Sequence, residues 1–360
     1  MERSMGILIN GRTVRRFVMN HPEREHLDLY HKFAEAMNIQ AFFIQPEHLQ
    51  LEEGKTKAYY FNKKMDLVNC VIPIPKVIHN RSINLKSETI NKVRKLRSQK
   101  ISILFNPIGR LSLVKATQIL QTNEELHPFL PKIQVVGANT QELLPMHQQL
   151  AYPEKGTGKK LLEMTKSEGL VHYQWMKKGK WRKGSFPEEH WKEQLPGILG
   201  KGPYIVRERI PLPKWKGYPY VFHSGYQKNE RGKWSLSGVI GLLYSTRTFP
   251  LKTRPQAFSL NQMADDQGEW IQGPSIDLMK MIGLKSAMHL EAFLPQLSDI
   301  SFDFVISSTG DLFLHDLSLM ERREFYHEAK EFSMWENTYK QPISYGKFLL
   351  EQRSGGHANE

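Results

Sequence analysis

Apolar positions along this chain recur with two different periods, and the places where one gives way to the other divide it into elements. Met5 to Ile9 is a short apolar run of strand type. His21 to Met37 then carries Leu27, Leu29, Tyr30, Phe33, Ala34 and Met37 at helical spacing, and Ile39 to Ile44 returns to strand character. Asn38, between that helix and strand, suits a C-terminal cap. Leu67 to Ile74 and Lys76 to His79 are apolar runs broken by Pro73 and Pro75. A basic amphipathic helix at Ser87 to Lys100 and a strand at Ile101 to Phe105 follow. Strands alternating with helices predict an α/β unit with a partly parallel sheet, ending near Pro107.

Beyond a helix at Ser112 to Gln121, strands dominate. They are expected at Ile133 to Val136, Gly169 to Met176, Tyr204 to Arg209, Tyr220 to Gln227 and Trp234 to Tyr244. Met279 to Leu297 is helical, Leu319 to Trp335 reads as one long charged amphipathic helix, and residues 351–360 read as a flexible tail. Between the last two helices lies Phe302 to Ser318, in which apolar runs flank Ser307-Ser308-Thr309-Gly310-Asp311: strand, tight turn, strand. In its second strand the period of two puts His315 and Leu317 on one face and Asp316 on the other. No internal repeat is visible.

Composition narrows the classes. At 360 residues and 40% hydrophobic content, the chain is long enough for two or three domains with a sizeable core. No apolar run approaches the roughly 18 to 20 residues of a membrane span, and the N-terminus lacks the build of a signal peptide, so the expected location is inside the cell. Cys70 is the single cysteine; it excludes an intrachain disulfide and reads as a small hydrophobe. The formal charge of +13 favours anionic partners. Its basic residues fall in short clusters such as Lys177-Lys178-Gly179-Lys180 and Arg322-Arg323, without a zinc finger, an RNP-type motif or a long basic helix. That argues against sequence-specific nucleic-acid binding and leaves loose adhesion to polyanions open. Neither His-Glu-x-x-His nor Gly-x-Ser-x-Gly occurs. Asp265, Asp266 and Glu291 read as solvated charge, and the Trp and Tyr residues from Tyr173 to Tyr244 as aromatic pairs of a sheet core.

Several phrases, taken in order, resemble the YheC/YheD group of bacterial endospore-coat-associated proteins, which carry an ATP-grasp domain. They are GILIN (Gly6 to Asn10), PIPKVIHNR (Pro73 to Arg81), FLPKIQVV (Phe129 to Val136) and YPEKGTGKKL (Tyr152 to Leu161). YIVRERIPL (Tyr204 to Leu212), GYPYVFHSGYQKNERGKWSLSG (Gly217 to Gly238), the final hairpin and PISYGKFL (Pro342 to Leu349) complete the set. The resemblance implies an N-terminal α/β (pre-ATP-grasp) domain at 1–107 and an ATP-grasp domain with antiparallel sheets at 108–350. It also implies a cytoplasmic protein that becomes associated with the spore coat, with coat or other proteins as partners.

The same resemblance places ATP and magnesium ligands on particular residues, and many have been exchanged. In the phosphate loop Pro153, Gly156 and Thr157 follow the pattern, but Tyr152 stands at the lysine; Lys155, Lys159 and Lys160 keep the loop basic. Lys115, on the helix that opens the domain, falls at a second phosphate lysine. The adenine-side hinge corresponds to Arg207, with Glu208 turned to the opposite face. Val221 replaces an Asp, His223 an Arg and Leu242 a second Arg, whereas Gln227, Lys228, Trp234 and Gly238 are kept. In the hairpin, Asp303 keeps a metal carboxylate, while His315, twelve residues on, stands at a Glu and Leu317 at an Asn. Magnesium wants hard oxygen ligands, which imidazole and isobutyl groups do not supply.

Residues that would build strands are kept and residues that would do chemistry are replaced. The expectation is a degenerate ATP-grasp protein with a structural or assembly role at the endospore coat, with no catalytic residue and no cofactor. Lys115, Lys155, Gly156, Thr157, Lys159 and Glu208 remain as candidates to line an ATP cleft, and Asp303 as a metal-site remnant. Two alternatives compete. One is an active ATP-dependent carboxylate-amine ligase with relocated ligands, using ATP and magnesium; the other is a basic polyanion binder.

Overall fold

A computed structural model describes residues 3–19, 25–83, 86–109, 111–137, 148–153, 162–177, 180–200, 203–245, 254–267, 274–307 and 309–355. Three sheets organise them. The N-terminal sheet comprises β1 (Ser4–Leu8), β2 (Gln40–Gln50), β3 (Lys55–Phe61), β4 (Leu67–Pro73), β5 (Val77–Asn80) and β6 (Ile103–Phe105), in the order β4-β3-β2-β1-β5-β6. β1 runs parallel to β2 and β5, and β5 parallel to β6, while β2-β3-β4 form an antiparallel meander. Helices α1 (Gly11–Val18), α2 (Leu27–Ala36) and α3 (Ser87–Ser98) cover it. Buried apolar groups on both faces explain the near-continuous apolar runs of β1 and β5.

The middle sheet contains β7 (Ile133–Val136), β8 (Gln148–Pro153), β9 (Leu162–Ser167), β10 (Leu170–Lys177), β11 (Lys180–Pro187) and β12 (Tyr204–Glu208), ordered β11-β10-β9-β8-β12-β7. α4 (Leu113–Leu120) precedes it in sequence, and α5 (Trp191–Leu199) packs on one face over Tyr204 and Val206. Period-two geometry therefore turns Ile205 and Arg207 to the opposite face. Tyr173 packs with Trp175 and Phe186 as the aromatic pairing predicted.

The C-terminal sheet is β16 (Gln256–Phe258), β15 (Trp234–Leu243), β14 (Tyr218–Lys228), β17 (Asp299–Ile306) and β18 (Leu312–Ser318) in that order, with the short β13 (Lys214–Trp215) beside β14. α6 (Leu260–Gln267) and α7 (Pro274–Phe293) lie on one side and α8 (Glu324–Glu328) on the other. β17 is buried along its whole length, and its alternation sorts chemistry by face. Ile300, Phe302, Phe304 and Ile306 enter the core against α7, and Asp299, Ser301, Asp303 and Val305 take the other face. The last helix, α9 (Phe332–Gly355), returns to the N-terminal sheet, where Tyr339, Ile343 and Tyr345 join its core.

Several sequence expectations change. The helix expected at His21 to Met37 is described only as α2, since residues 20–24 lie outside the described residues. Asn38 does take the left-handed conformation (φ 57°), and its N–H bonds to the Glu35 carbonyl. The single helix expected at Leu319 to Trp335 is two, because Lys330 adopts φ 60° and reverses the chain between α8 and α9. α9 itself runs through residues 351–355 of the expected tail. Glu291 is not free surface charge but a half-buried, partnered group: on α7 it accepts from the Trp234 Nε1 (2.7 Å) and pairs with Lys228. Among the described residues, no helix is long and apolar enough to cross a membrane.

Candidate functional site

On the face of the C-terminal sheet turned away from α7, charged side chains gather around His223, which is fully buried. Its place on β14 follows from the same alternation: Tyr220, Phe222 and Tyr226 enter the core against α7, leaving Val221 and His223 on the opposite face. There His223 lies opposite Asp303 of β17. Its Nδ1 is 2.6 Å from Asp303 Oδ1, and its Nε2 is 2.9 Å from Glu321 Oε1. Neither carboxylate can donate, so both ring nitrogens must carry protons. Burial would push this imidazole down, but Glu321 and Asp303 outweigh it and raise the pKa to about 9. The second Asp303 oxygen accepts from Arg322 at 3.1 Å. Burial would raise the Asp303 carboxyl, yet Arg322 and His223 hold it below the usual carboxylate range. A glycine makes the arrangement fit: a Cβ on Gly225 would lie 2.0 Å from Glu321 Oε2.

The middle and C-terminal sheets are tied to each other by one further side chain. Arg207 reaches from β12 to His315 of β18, its Nη2 standing 3.1 Å from Nδ1 and 3.3 Å from the His315 carbonyl. Burial, with Arg207 beside it, pushes His315 down to about 3, so the ring is neutral and accepts. The hairpin holds a bulge that simple alternation does not reveal. Asp303 pairs in register with Asp316 and Phe304 with Leu314, which leaves His315 as the extra residue.

Magnesium does not fit these donors. Both Asp303 oxygens are engaged by cations, the His315 nitrogen facing Arg207 is engaged, and Leu317 offers no donor. An imidazolium and a guanidinium beside the carboxylate already supply positive charge there. Two positions where the resemblance places charged residues, an Asp at 221 and an Arg at 242, are filled by apolar packing: Val221 and Leu242 belong to the core cluster beneath α8. The retained Gln227 and Lys228 serve structure. Gln227 accepts from Ser237 Oγ (2.8 Å) and donates to the Thr338 carbonyl of α9 (3.0 Å), and Lys228 pairs with Glu291 of α7.

The other candidates scatter. Lys115 is exposed on α4, and its backbone N–H donates to Ser112 Oγ at 3.2 Å. Glu208 closes β12 and accepts from the Lys132 N–H at 3.1 Å, lining a recess of about 490 Å³ with Lys132, Leu130 and Phe313. Lys155, Gly156, Thr157 and Lys159 lie outside the described residues. Sequence reasoning does not bring out Glu321 and Arg322 as site residues, although the charged run Glu321-Arg322-Arg323, which begins three residues after the end of β18, is a visible signal.

A family model described as YheC/D like ATP-grasp matches residues 103–349. The chain belongs to this ATP-grasp family. It is 20% identical over 333 residues to the endospore coat-associated protein YheD of Bacillus subtilis (strain 168), covering 86% of this chain and 71% of that protein. Among solved structures it is similar to N5-carboxyaminoimidazole synthetase from Staphylococcus aureus (TM-score 0.51, 7% identity, 95% of this chain and 77% of that one). It is likewise similar to N5-carboxyaminoimidazole ribonucleotide synthetase from Thermotoga maritima (TM-score 0.50, 9% identity, 91% and 71%). At these identities the likeness concerns the fold: an ATP-grasp architecture of mixed α/β content with antiparallel sheets, a fold that generally binds ATP and magnesium.

Proposed function

We propose that this protein is a non-catalytic ATP-grasp protein with a structural or assembly role at the endospore coat. The observation that carries the proposal is the engagement of Asp303 on both oxygens, by His223 and by Arg322, at the position where the family's chemistry needs a metal carboxylate. The Arg207–His315 bond between the sheets supports it, since the same side chains cannot also receive a nucleotide and its metal without breaking that bond. The coat association rests on the relationship to the B. subtilis protein. Protein partners are expected to bind the former nucleotide cleft or the basic surface.

The test is a calorimetric titration with ATP and magnesium, paired with an assay for released phosphate. No turnover and no metal-dependent tightening is the expected result. Micromolar binding that requires magnesium, together with phosphate release, would overturn the proposal in favour of a working ligase. The variant His315→Glu/Leu317→Asn, which restores oxygen donors beside Asp303, should gain magnesium-dependent nucleotide affinity. A fluorescent fusion that stays dispersed through sporulation of a Bacillus host would remove the coat assignment.

One observation favours a weaker second reading, in which a nucleotide base is bound without turnover: the recess beside Glu208 lies next to Phe313 and the hinge strand β12. ATP affinity unchanged by magnesium and lost in Glu208→Lys would mark that case.

A further inference from the structure

A second recess, outside the ATP-grasp cleft, lies at the carboxyl ends of the parallel strands β5 and β6, where open α/β sheets place their ligands. It has a volume of about 540 Å³, within the range of small-molecule sites. One wall is a single stripe of α3, Ile90, Val93, Arg94 and Arg97, at the i, i+3, i+4, i+7 spacing that keeps residues on one helical face. The opposite wall is Pro107, Ile108 and Gly109, the segment that leaves the N-terminal sheet. Asn80 contributes from the end of β5.

Two features distinguish this recess from an ordinary surface groove. Its Asn80 edge is fixed: the side chain, 3% exposed, donates to the Asn106 carbonyl (3.0 Å) and accepts from the Ser82 N–H (3.1 Å) and Oγ (2.6 Å). Asn106 is in turn clamped to the C-terminal sheet through the Asp299 and Leu319 carbonyls at 2.8 and 3.1 Å. The second feature is charge. Arg94 and Arg97 sit one turn apart on the same wall, and neither has an ion pair or side-chain hydrogen bond among the described residues. Like charges at that spacing repel, and an anion between them would relieve the repulsion through charge-assisted, forked hydrogen bonds. The rest of the lining is apolar at Ile90, Val93, Pro107 and Ile108.

We infer that this recess binds a small amphiphilic anion, a carboxylate or phosphate on an apolar body. The anionic head lies between Arg94 and Arg97, and the body lies against Ile90, Val93 and Ile108. Such a ligand spans α3 and the segment joining the N-terminal sheet to the rest of the chain. It is independent of any nucleotide in the cleft and of whether catalysis survives.

The test is a calorimetric titration of the full chain with phenyl phosphate, phenylacetate and inorganic phosphate. One saturable site per chain is expected for the two aryl anions, with inorganic phosphate weaker. Arg94→Glu/Arg97→Glu should weaken aryl-anion binding about tenfold or more, whereas Lys57→Glu/Lys95→Glu, the same change of charge elsewhere on this sheet and helix, should leave it intact. Ile90→Trp, which fills the recess from its exposed edge, should also abolish binding; circular dichroism melts check that each variant is folded. Three results overturn the inference: no saturable binding of either aryl anion, equal affinity for inorganic phosphate and phenyl phosphate, or equal losses in the two charge-reversed pairs.

Discussion

Two buried charge clusters hang from the same face of β17, and they do different work. Around Asp299, Arg81 donates to Oδ2 at 3.2 Å and to Glu25 at 2.8 Å through its Nε, while Arg323 reaches the same Asp299 oxygen, Glu25 and the Tyr30 hydroxyl. Around Asp303 stand His223, Glu321 and Arg322. Each cluster sets two cations against two carboxylates. The first draws Glu25 and Arg81 from the N-terminal third and closes a seam between sheets; the second is drawn wholly from the C-terminal sheet and its following turn. Neighbouring arginines part company here, since the Arg323 side chain is 0% exposed and the Arg322 side chain 37%. The first cluster joins the N-terminal and C-terminal parts of the chain, whereas the second lies within the C-terminal sheet and its following turn, around the residue that the family resemblance marks as a metal carboxylate.

The sharpest way to break this contrast is to remove one seam cation. Arg323→Ala leaves Asp299 and Glu25 buried with half their counter-charge and should cost about 3–5 kcal/mol in urea unfolding followed by tryptophan fluorescence. Arg322→Ala, at a partly solvated pair, should cost at most about 1 kcal/mol. Equal losses would mean that the two clusters are alike and that the cleft is as much a keystone as the seam.

Titration separates them next. His223 is raised to about 9 from an ordinary 6.5. Its ion pairing therefore stabilises the fold fully below pH 6.5 and is lost as pH rises through 9, a fall of about 3 kcal/mol. His79, in the seam, is pushed down to about 4 by burial and adds no such step in that window. Urea midpoints measured from pH 6 to 10 should show the fall, and His223→Gln should remove it; a flat profile in the parent protein would show that His223 is not an imidazolium. A smaller effect is expected from Gly225→Ala, whose Cβ would collide with Glu321. It should cost about 1–3 kcal/mol and lower the alkaline midpoint by loosening the Glu321–His223 contact. An unchanged midpoint would remove Glu321 from the cluster.

Strong local patterns made much of the fold legible. The alternation of β14, β15 and the final hairpin, the apolar run of β1, and Asn38 as a helix stop all have causes within a few residues. Other elements lacked that signal. The strand β3 reads Lys-Thr-Lys before its aromatic end, and α1 carries three arginines in eight residues, so neither shows a clean apolar period. The run Leu319 to Trp335 has helical composition throughout, yet its first residues are spent on the two clusters: Glu321 on His223, Arg322 on Asp303, Arg323 on Asp299 and Glu25. Local propensity does not record such long-range claims on a segment.

For the cleft, the sequence alone fixed which residue types were available: a carboxylate at 303, an imidazole at 315, no donor at 317, and apolar groups at 221 and 242. Of the three hairpin positions that the family resemblance assigns to the metal, those identities leave one carboxylate, Asp303. Only the tertiary structure decided that Asp303 is engaged rather than idle. Its partners lie 80 residues before it and 19 after it along the chain, brought together by the pairing of β14 with β17 and by the turn that follows β18. Hydrogen bonds and charge pairing depend on distance in space, which spacing in sequence specifies within one helix or strand and not between them.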